Sequence, residues 1–187
     1  MHFRLSQLLL LAFACASLVG AQKSGQAPKA PASSVDSAHL AALKARSLGP
    51  AIMGGRVSEI APDPMKADTF YVGLATGGLW KTANAGASFA PLFDKQAVAS
   101  IGAVAVAPSN PKVLWVGTGE ANDRNSSAWG RGVFRSVDGG ENWSPAGLEG
   151  SRAIARILVH PKDPDTAWAA VMGDLWMPGG ERGLFKT

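Results

Sequence analysis

Residues 132–143 read GVFRSVDGGENW, and two other stretches echo them: residues 78–89, GLWKTANAGASF, and residues 183–187, GLFKT. The matching hydroxyl residues Thr82, Ser136 and Thr187 fall 54 and 51 residues apart (136 − 82 and 187 − 136). Repetition at this period, carried by strand-like segments and glycine turns, is the mark of a blade-repeat architecture. A ring of such blades needs roughly four to eight units to close. The sequence contains two whole units and part of another. The expectation is therefore a piece of a longer polypeptide, with the missing C-terminal blades of the same chain as its partners.

Two β-rich runs precede each echo. The first ends in a proline turn: residues 56–64 (RVSEIAPDP), 101–111 (IGAVAVAPSNP) and 154–164 (IARILVHPKDP). Small and large apolar residues alternate in the latter two, which suits a strand covered on both faces and so an inner strand lining a ring. Asp63, Asn110 and Asp163 sit beside prolines, as turn chemistry requires. The second run covers residues 69–75 (TFYVGLA), 113–118 (VLWVGT) and 166–171 (TAWAAV), and it places Tyr71, Trp115 and Trp168 at one register. The echoed phrase supplies a third strand, and a fourth begins at Phe89 or Trp143. The fold class predicted is all-β: a β-propeller fragment of about two and a half four-stranded blades. The recurring aromatics read as blade-to-blade packing rather than as a sugar platform.

Ahead of the repeats, residues 1–21 have the form of a signal peptide. Arg4 precedes an apolar run at residues 8–19, and Val19, Gly20 and Ala21 supply small residues before a cleavage near Ala21. That run is too short to span a membrane, so the expected location is secreted or periplasmic. Residues 22–42, rich in Ala, Pro, Ser, Gln and Lys, read as a flexible linker, with a short helical flavour at residues 39–46. Residues 43–187 form the incomplete propeller domain. Cys15 is the single cysteine and leaves with the leader, which excludes a disulfide-stapled domain and a cysteine metal site. The formal charge of +4 is spread along the chain with no basic run to track a phosphate backbone, so no nucleic acid is expected. No two histidines stand at metal-ligand spacing, and neither metal nor cofactor is expected.

Ser136, Asp138, Gly140 and Trp143 fit the pattern Ser/Thr-x-Asp-x-Gly-x-x-Trp, the Asp-box. Thr82, Asn84, Gly86 and Phe89 form a degenerate copy. Its physics is that of a hairpin between the third and fourth strands. The carboxylate accepts backbone N–H bonds, the glycine takes positive φ and the aromatic folds back as an apolar plug. Asp138 is thus a turn fastener rather than a catalyst. With the stretches GGRV (54–57), VGTGE (116–120) and WGRGVF (129–134), these boxes make residues 43–187 resemble the exported BNR/Asp-box repeat propellers. That group includes the sortilin-type and the xyloglucanase-type glycoside hydrolase propellers. The resemblance implies ligand recognition or polysaccharide hydrolysis. In the xyloglucanase-type enzymes an Arg-Thr-Asp-x-Gly-Gly stretch of the first blade holds a catalytic Asp. Matching its glycines to Gly77 and Gly78 puts Ala75 at the carboxylate position, and glycoside hydrolysis needs two facing carboxyl groups. No catalytic residue is assigned.

If the boxes occupy one face of the ring, the loops between second and third strands share the other: residues 76–77, 117–130 and 173–180. The long middle loop holds Glu120, Asp123, Arg124 and Trp129, and the third adds Asp174 and Trp176, with Glu181 beside them. Carboxylates, a guanidinium and tryptophans suit a polar ligand or a carbohydrate, and these are the candidate ligand-binding residues. The competing reading is a solvated insertion fastened to neighbouring blades. Glu120, Asn122 and Asp123 lack regular calcium-ligand spacing. The expected function is an exported recognition module for a carbohydrate polymer or a protein or peptide. The alternative is a glycoside hydrolase of the xyloglucanase-like type whose carboxylates lie partly outside these residues.

Overall fold

The structure is a computed structural model that describes residues 55–124 and 126–187. The expected signal peptide, linker and short helical stretch lie outside the described residues. Every described element is a strand. β1 (Val57–Pro62), β2 (Phe70–Leu74), β3 (Gly78–Thr82) and β4 (Ala90–Pro91) form one antiparallel sheet in that order. β5 (Ile101–Val106), β6 (Leu114–Thr118), β7 (Val133–Ser136) and β8 (Ser144–Pro145) form a second. β9 (Ile154–Val159), β10 (Ala167–Val171) and β11 (Gly183–Lys186) form a three-stranded third. The fold is all-β, a β-propeller fragment in which each sheet is a blade. Among the described residues no helix is long and apolar enough to cross a membrane.

The fourth strands start at Ala90 and Ser144, one residue later than the sequence suggested, and are two residues long. Phe89 and Trp143 belong to the hairpins, their side chains lying back toward Gly86 and Gly140.

Blades stack by alternation. Tyr71 and Leu79 of the first blade pack against Ile101, Val104, Leu114 and Val116 of the second. Trp115 and Val133 of the second pack in turn against Ile154, Ile157 and Ala169 of the third. The first strands of successive blades, β1, β5 and β9, are neighbours along the inner edge. Close approach there depends on a glycine in the second strand of each of the first two blades. A Cβ on Gly73 would lie 2.7 Å from Ile101 Cγ2, and one on Gly117 would lie 2.8 Å from Ile154 Cβ. Among the described residues, double coverage of the inner strand is realised for β5 alone. Val57 and Ile60 of β1 and Leu158 of β9 are exposed, because no sheet among the described residues covers those faces.

The aromatic register has a partner that the sequence did not announce. Tyr71, Trp115 and Trp168 stand directly across from Lys81, Arg135 and Lys186 on the next strand. Each cation lies over its ring, at 5.4, 5.3 and 5.7 Å from the centroid. Tyr71 and Trp115 are buried in blade interfaces, as packing residues are, and burial pushes the Tyr71 phenol up to about 12. Trp115 Nε1–H donates to the Pro164 carbonyl of the next blade at 3.0 Å, and Arg135 pairs with Asp165 beside it.

The two hairpins between third and fourth strands are built alike. Ser136 Oγ donates to Asp138 Oδ1 at 2.8 Å and accepts the Gly140 N–H at 2.9 Å, while Asp138 Oδ1 accepts the Asn142 N–H at 2.9 Å. In the first blade, Thr82 Oγ1 donates to Asn84 Oδ1 and accepts the Gly86 N–H, and Asn84 Oδ1 accepts the Ser88 N–H, each at 2.9 Å. These bonds, chiefly from the Asn142 backbone and side chain and then from Ser136, hold the Asp138 carboxyl at about 2.

Candidate functional site

Antiparallel pairing decides which loops share a face. The starts of first and third strands and the ends of second strands lie at one end of every blade, opposite the hairpins between third and fourth strands. This end gathers the loop from Gly119 to Arg131, the segment after Met172, and the entries to β1, β5 and β9.

The middle loop folds down onto the blades instead of standing free. Glu120, read from the sequence as an open loop carboxylate, is 1% exposed. Its carboxylate takes a two-pronged grip from Arg56 of the first blade, with Nε–H donating to Oε1 at 2.9 Å and Nη2 meeting Oε2. The backbone N–H of Glu120 donates to Ser100 Oγ at 3.0 Å, and that hydroxyl donates to the Ala128 carbonyl at 2.9 Å. The other end of the loop is pinned to the third blade. Gly130 N–H donates to Arg152 O at 2.8 Å, and Ile154 N–H donates to Gly119 O at 3.3 Å. At Gly119 φ is +86°, and a Cβ there would run into the Arg152 carbonyl, so the crossing needs glycine.

Arg152 joins the two candidate loops. Its guanidinium stacks on the Trp129 ring, 3.8 Å from the centroid, and its Nη1 lies 3.4 Å from Asp174 Oδ2. Asp174 is buried, and its Oδ1 accepts the N–H groups of Trp176 at 2.9 Å and Met177 at 3.2 Å. Arg182 Nη2 donates to the Asp174 carbonyl at 2.6 Å. Trp129 and Trp176 remain over half exposed, at 53% and 55%. The structure thus brings Trp129, Asp174 and Trp176 together through Arg152, while Glu120 is tied to the same loop through Ser100 and Ala128. Asp123 and Arg124 stay exposed at the loop tip, shaped by Ser127 Oγ donating to the Asn122 carbonyl at 2.7 Å. No hydrogen bond from their side chains occurs among the described residues.

Sequence reasoning missed Arg56, Ser100 and Arg152. Each precedes a first strand, and each acts on a loop from a different repeat or from the far end of its own. Chemically the arrangement is that of a shaped surface. Both Glu120 oxygens face Arg56, and Asp174 Oδ1 accepts two backbone N–H groups while its Oδ2 is buried 3.4 Å from Arg152 without a hydrogen bond; Trp129 and Trp176, on the same two loops, stay exposed. Among the described residues, no three His, Cys, Asp or Glu side chains converge as metal ligands.

Neither a protein-family model nor a curated protein sequence matches the chain. Solved structures do. A GH74 enzyme from Niastella koreensis is similar at 20% identity and a TM-score of 0.52, over 68% of this chain and 19% of that one. An ancestral GH74 enzyme is similar at 22% identity and a TM-score of 0.53, over 71% of this chain and 17% of that one. A likeness at this identity is one of fold. The chain spans less than a fifth of the length of either protein.

Proposed function

We propose that the polypeptide is an exported recognition propeller of the BNR/Asp-box kind, binding a carbohydrate polymer or a peptide on the face that carries Trp129 and Trp176. In this reading residues 1–21 are a cleaved leader, 22–42 a linker and 43–187 the first blades of a longer ring. One observation carries it: Glu120 is buried in the grip of Arg56 and Asp174 is buried under the loop whose N–H groups it accepts, while Trp129 and Trp176 beside them remain over half exposed. A catalytic carboxyl must face the bound substrate, and both Glu120 oxygens face the Arg56 guanidinium instead. Half-exposed indoles beside buried polar groups are recognition chemistry.

The second reading is polysaccharide hydrolysis, supported by the GH74 enzymes that share the fold. Ala75 occupies the position where the family resemblance puts a catalytic Asp, and Ala75 is fully buried. Hydrolysis would therefore draw its carboxylates from other blades, about 5–9.5 Å apart across the bond.

A polysaccharide panel applied to the full reading frame, scored for binding and for new reducing ends, separates the two. Recognition predicts binding without release, weakened about tenfold by Trp129→Ala or Trp176→Ala, roughly 1.4 kcal/mol. Release of reducing ends would establish the hydrolase. Silence toward every glycan would leave peptides as the ligand class.

A further inference from the structure

Five buried side-chain nitrogen or oxygen atoms among the described residues have no hydrogen-bond partner, and four of them belong to Ser151, Arg152, Asp174 and Glu181. These residues lie on three short segments that touch. A Cβ on Gly150 would sit 3.4 Å from Glu181 Oε2, and one on Gly173 would sit 3.0 Å from the Glu181 carbonyl and 3.4 Å from Arg182 Nε. Arg152 Nη1 stands 3.4 Å from Asp174 Oδ2, yet the two are not hydrogen-bonded. Ser151 is fully buried, and Asp174 is 6% exposed.

The neighbouring blade shows the same residue types satisfied. Both Glu120 oxygens meet Arg56, and the Ser100 hydroxyl accepts the Glu120 N–H while donating to the Ala128 carbonyl. Buried polar groups in folded chains are paired, because an unmade hydrogen bond there is not replaced by bulk water. The four atoms of the third blade therefore require a bridging group, and their chemistry selects it. Asp174 Oδ2 and Glu181 Oε2 accept, Arg152 Nη1 donates, and Ser151 Oγ does either. A calcium ion takes roughly six to eight oxygens, and here it would lie against a guanidinium with only two carboxylates. An anion would face those same carboxylates. A water matches the set: its two hydrogens suit the two carboxylate oxygens, and its lone pairs suit Arg152 and Ser151.

We infer that Ser151, Arg152, Asp174 and Glu181 build a site for one tightly held water that bridges Arg152 to the two carboxylates. The bridge has a consequence for the recognition face. Trp129 stacks on Arg152, and the Trp176 N–H donates to Asp174 Oδ1. Joining Arg152 to Asp174 through a water ties the two indoles to one polar anchor, although they belong to loops of different blades. The site goes beyond the recognition reading and does not depend on it, since the bridge forms in the free protein.

Ser151→Ala in the full chain tests the inference by the sign of its effect. A buried hydroxyl without a partner opposes folding, so its removal would raise the melting temperature. A hydroxyl that anchors a bridging water supports folding, and its removal should lower the melting temperature by about 2–4 °C. A rise or an unchanged melt overturns the inference. The unaltered chain supplies the second measurement. A high-resolution crystal structure should show a single oxygen within about 3.2 Å of Arg152 Nη1, Asp174 Oδ2 and Glu181 Oε2. A direct hydrogen bond between Arg152 and Asp174 with no oxygen between the segments overturns it. So does a metal ion in that place, which a melting temperature that rises with calcium chloride and falls with EDTA would reveal independently.

Discussion

The hairpins at residues 82–89 and 136–143 have the same backbone circuit but different consequences. In both, a hydroxyl and a planar side chain two residues later close the turn with the same three bonds. Asparagine closes the same circuit as aspartate, because the bond to the following backbone N–H needs an oxygen. The plugs part company. Trp143 bridges to Phe93 and Leu92 of the previous blade, while Phe89 meets Phe70 of its own blade at 6.1 Å and is 39% exposed. Local chemistry makes the turn, and only a neighbouring blade makes the turn an inter-blade joint.

The sharpest way to break that comparison is to truncate both plugs. Trp143→Ala should destabilise by about 3 kcal/mol, since it opens a cavity against Phe93 and strands the Leu92 carbonyl. Phe89→Ala should cost about 1 kcal/mol or less, because its ring is already partly in water. Denaturant titration of the two variants measures both. Equal losses would mean that the joint contributes nothing beyond the turn.

The conserved geometry of the turn glycines sharpens it further. Gly140 and Gly86 both lie at positive φ, +96° and +91°. A Cβ on Gly140 would meet Leu92 Cδ1 at 2.7 Å and Leu114 Cδ1 at 3.3 Å, whereas one on Gly86 would meet Phe70 only at 3.6 Å. Gly140→Ala should therefore cost about 2–3 kcal/mol and Gly86→Ala about 1 kcal/mol, the excess being inter-blade crowding on top of a shared backbone strain. A double variant with Leu92→Ala should recover part of the Gly140→Ala loss. Recovery of none would place the whole cost in φ.

The same contrast explains what was legible in the sequence. Hairpins, strand spans and the blade period were readable because they depend on residues within a few positions of one another: Ser136 with Asp138 and Gly140, or Gly117 beside Trp115. The packing role of Tyr71 and Trp115 followed from their register. The loop face was harder. Glu120 looked like an exposed acid because it sits among Asn122, Asp123 and Arg124, yet its partner Arg56 is 64 positions away. Arg152 carries no local signal, although it stacks on Trp129 and faces Asp174. Pairs formed between blades leave no periodic trace, so the exposure of a polar loop residue is decided by a repeat that does not contain it.

The smallest effect distinguishes the hairpins by charge alone. The Asp138 carboxyl is held at about 2 in the folded chain, below its ordinary 3.8, by hydrogen bonds from Asn142 and Ser136 that favour the anion. A carboxyl lowered on folding contributes stability that is present above its unfolded value and is lost as pH falls through its folded value. The second hairpin should accordingly weaken on acidification from about pH 4 to about pH 2, while the first, with Asn84 in the same place, should not. Asp138→Asn copies the first hairpin into the second. The variant should lose part of the chain's acid sensitivity in that window, and the remainder should include Asp163, whose carboxyl is lowered chiefly by the Thr166 hydroxyl. Stability measured against pH for the two chains should give curves that separate near neutrality and converge toward pH 2. Parallel curves throughout the window would mean that the charge of Asp138 does nothing that the amide of Asn84 does not already do.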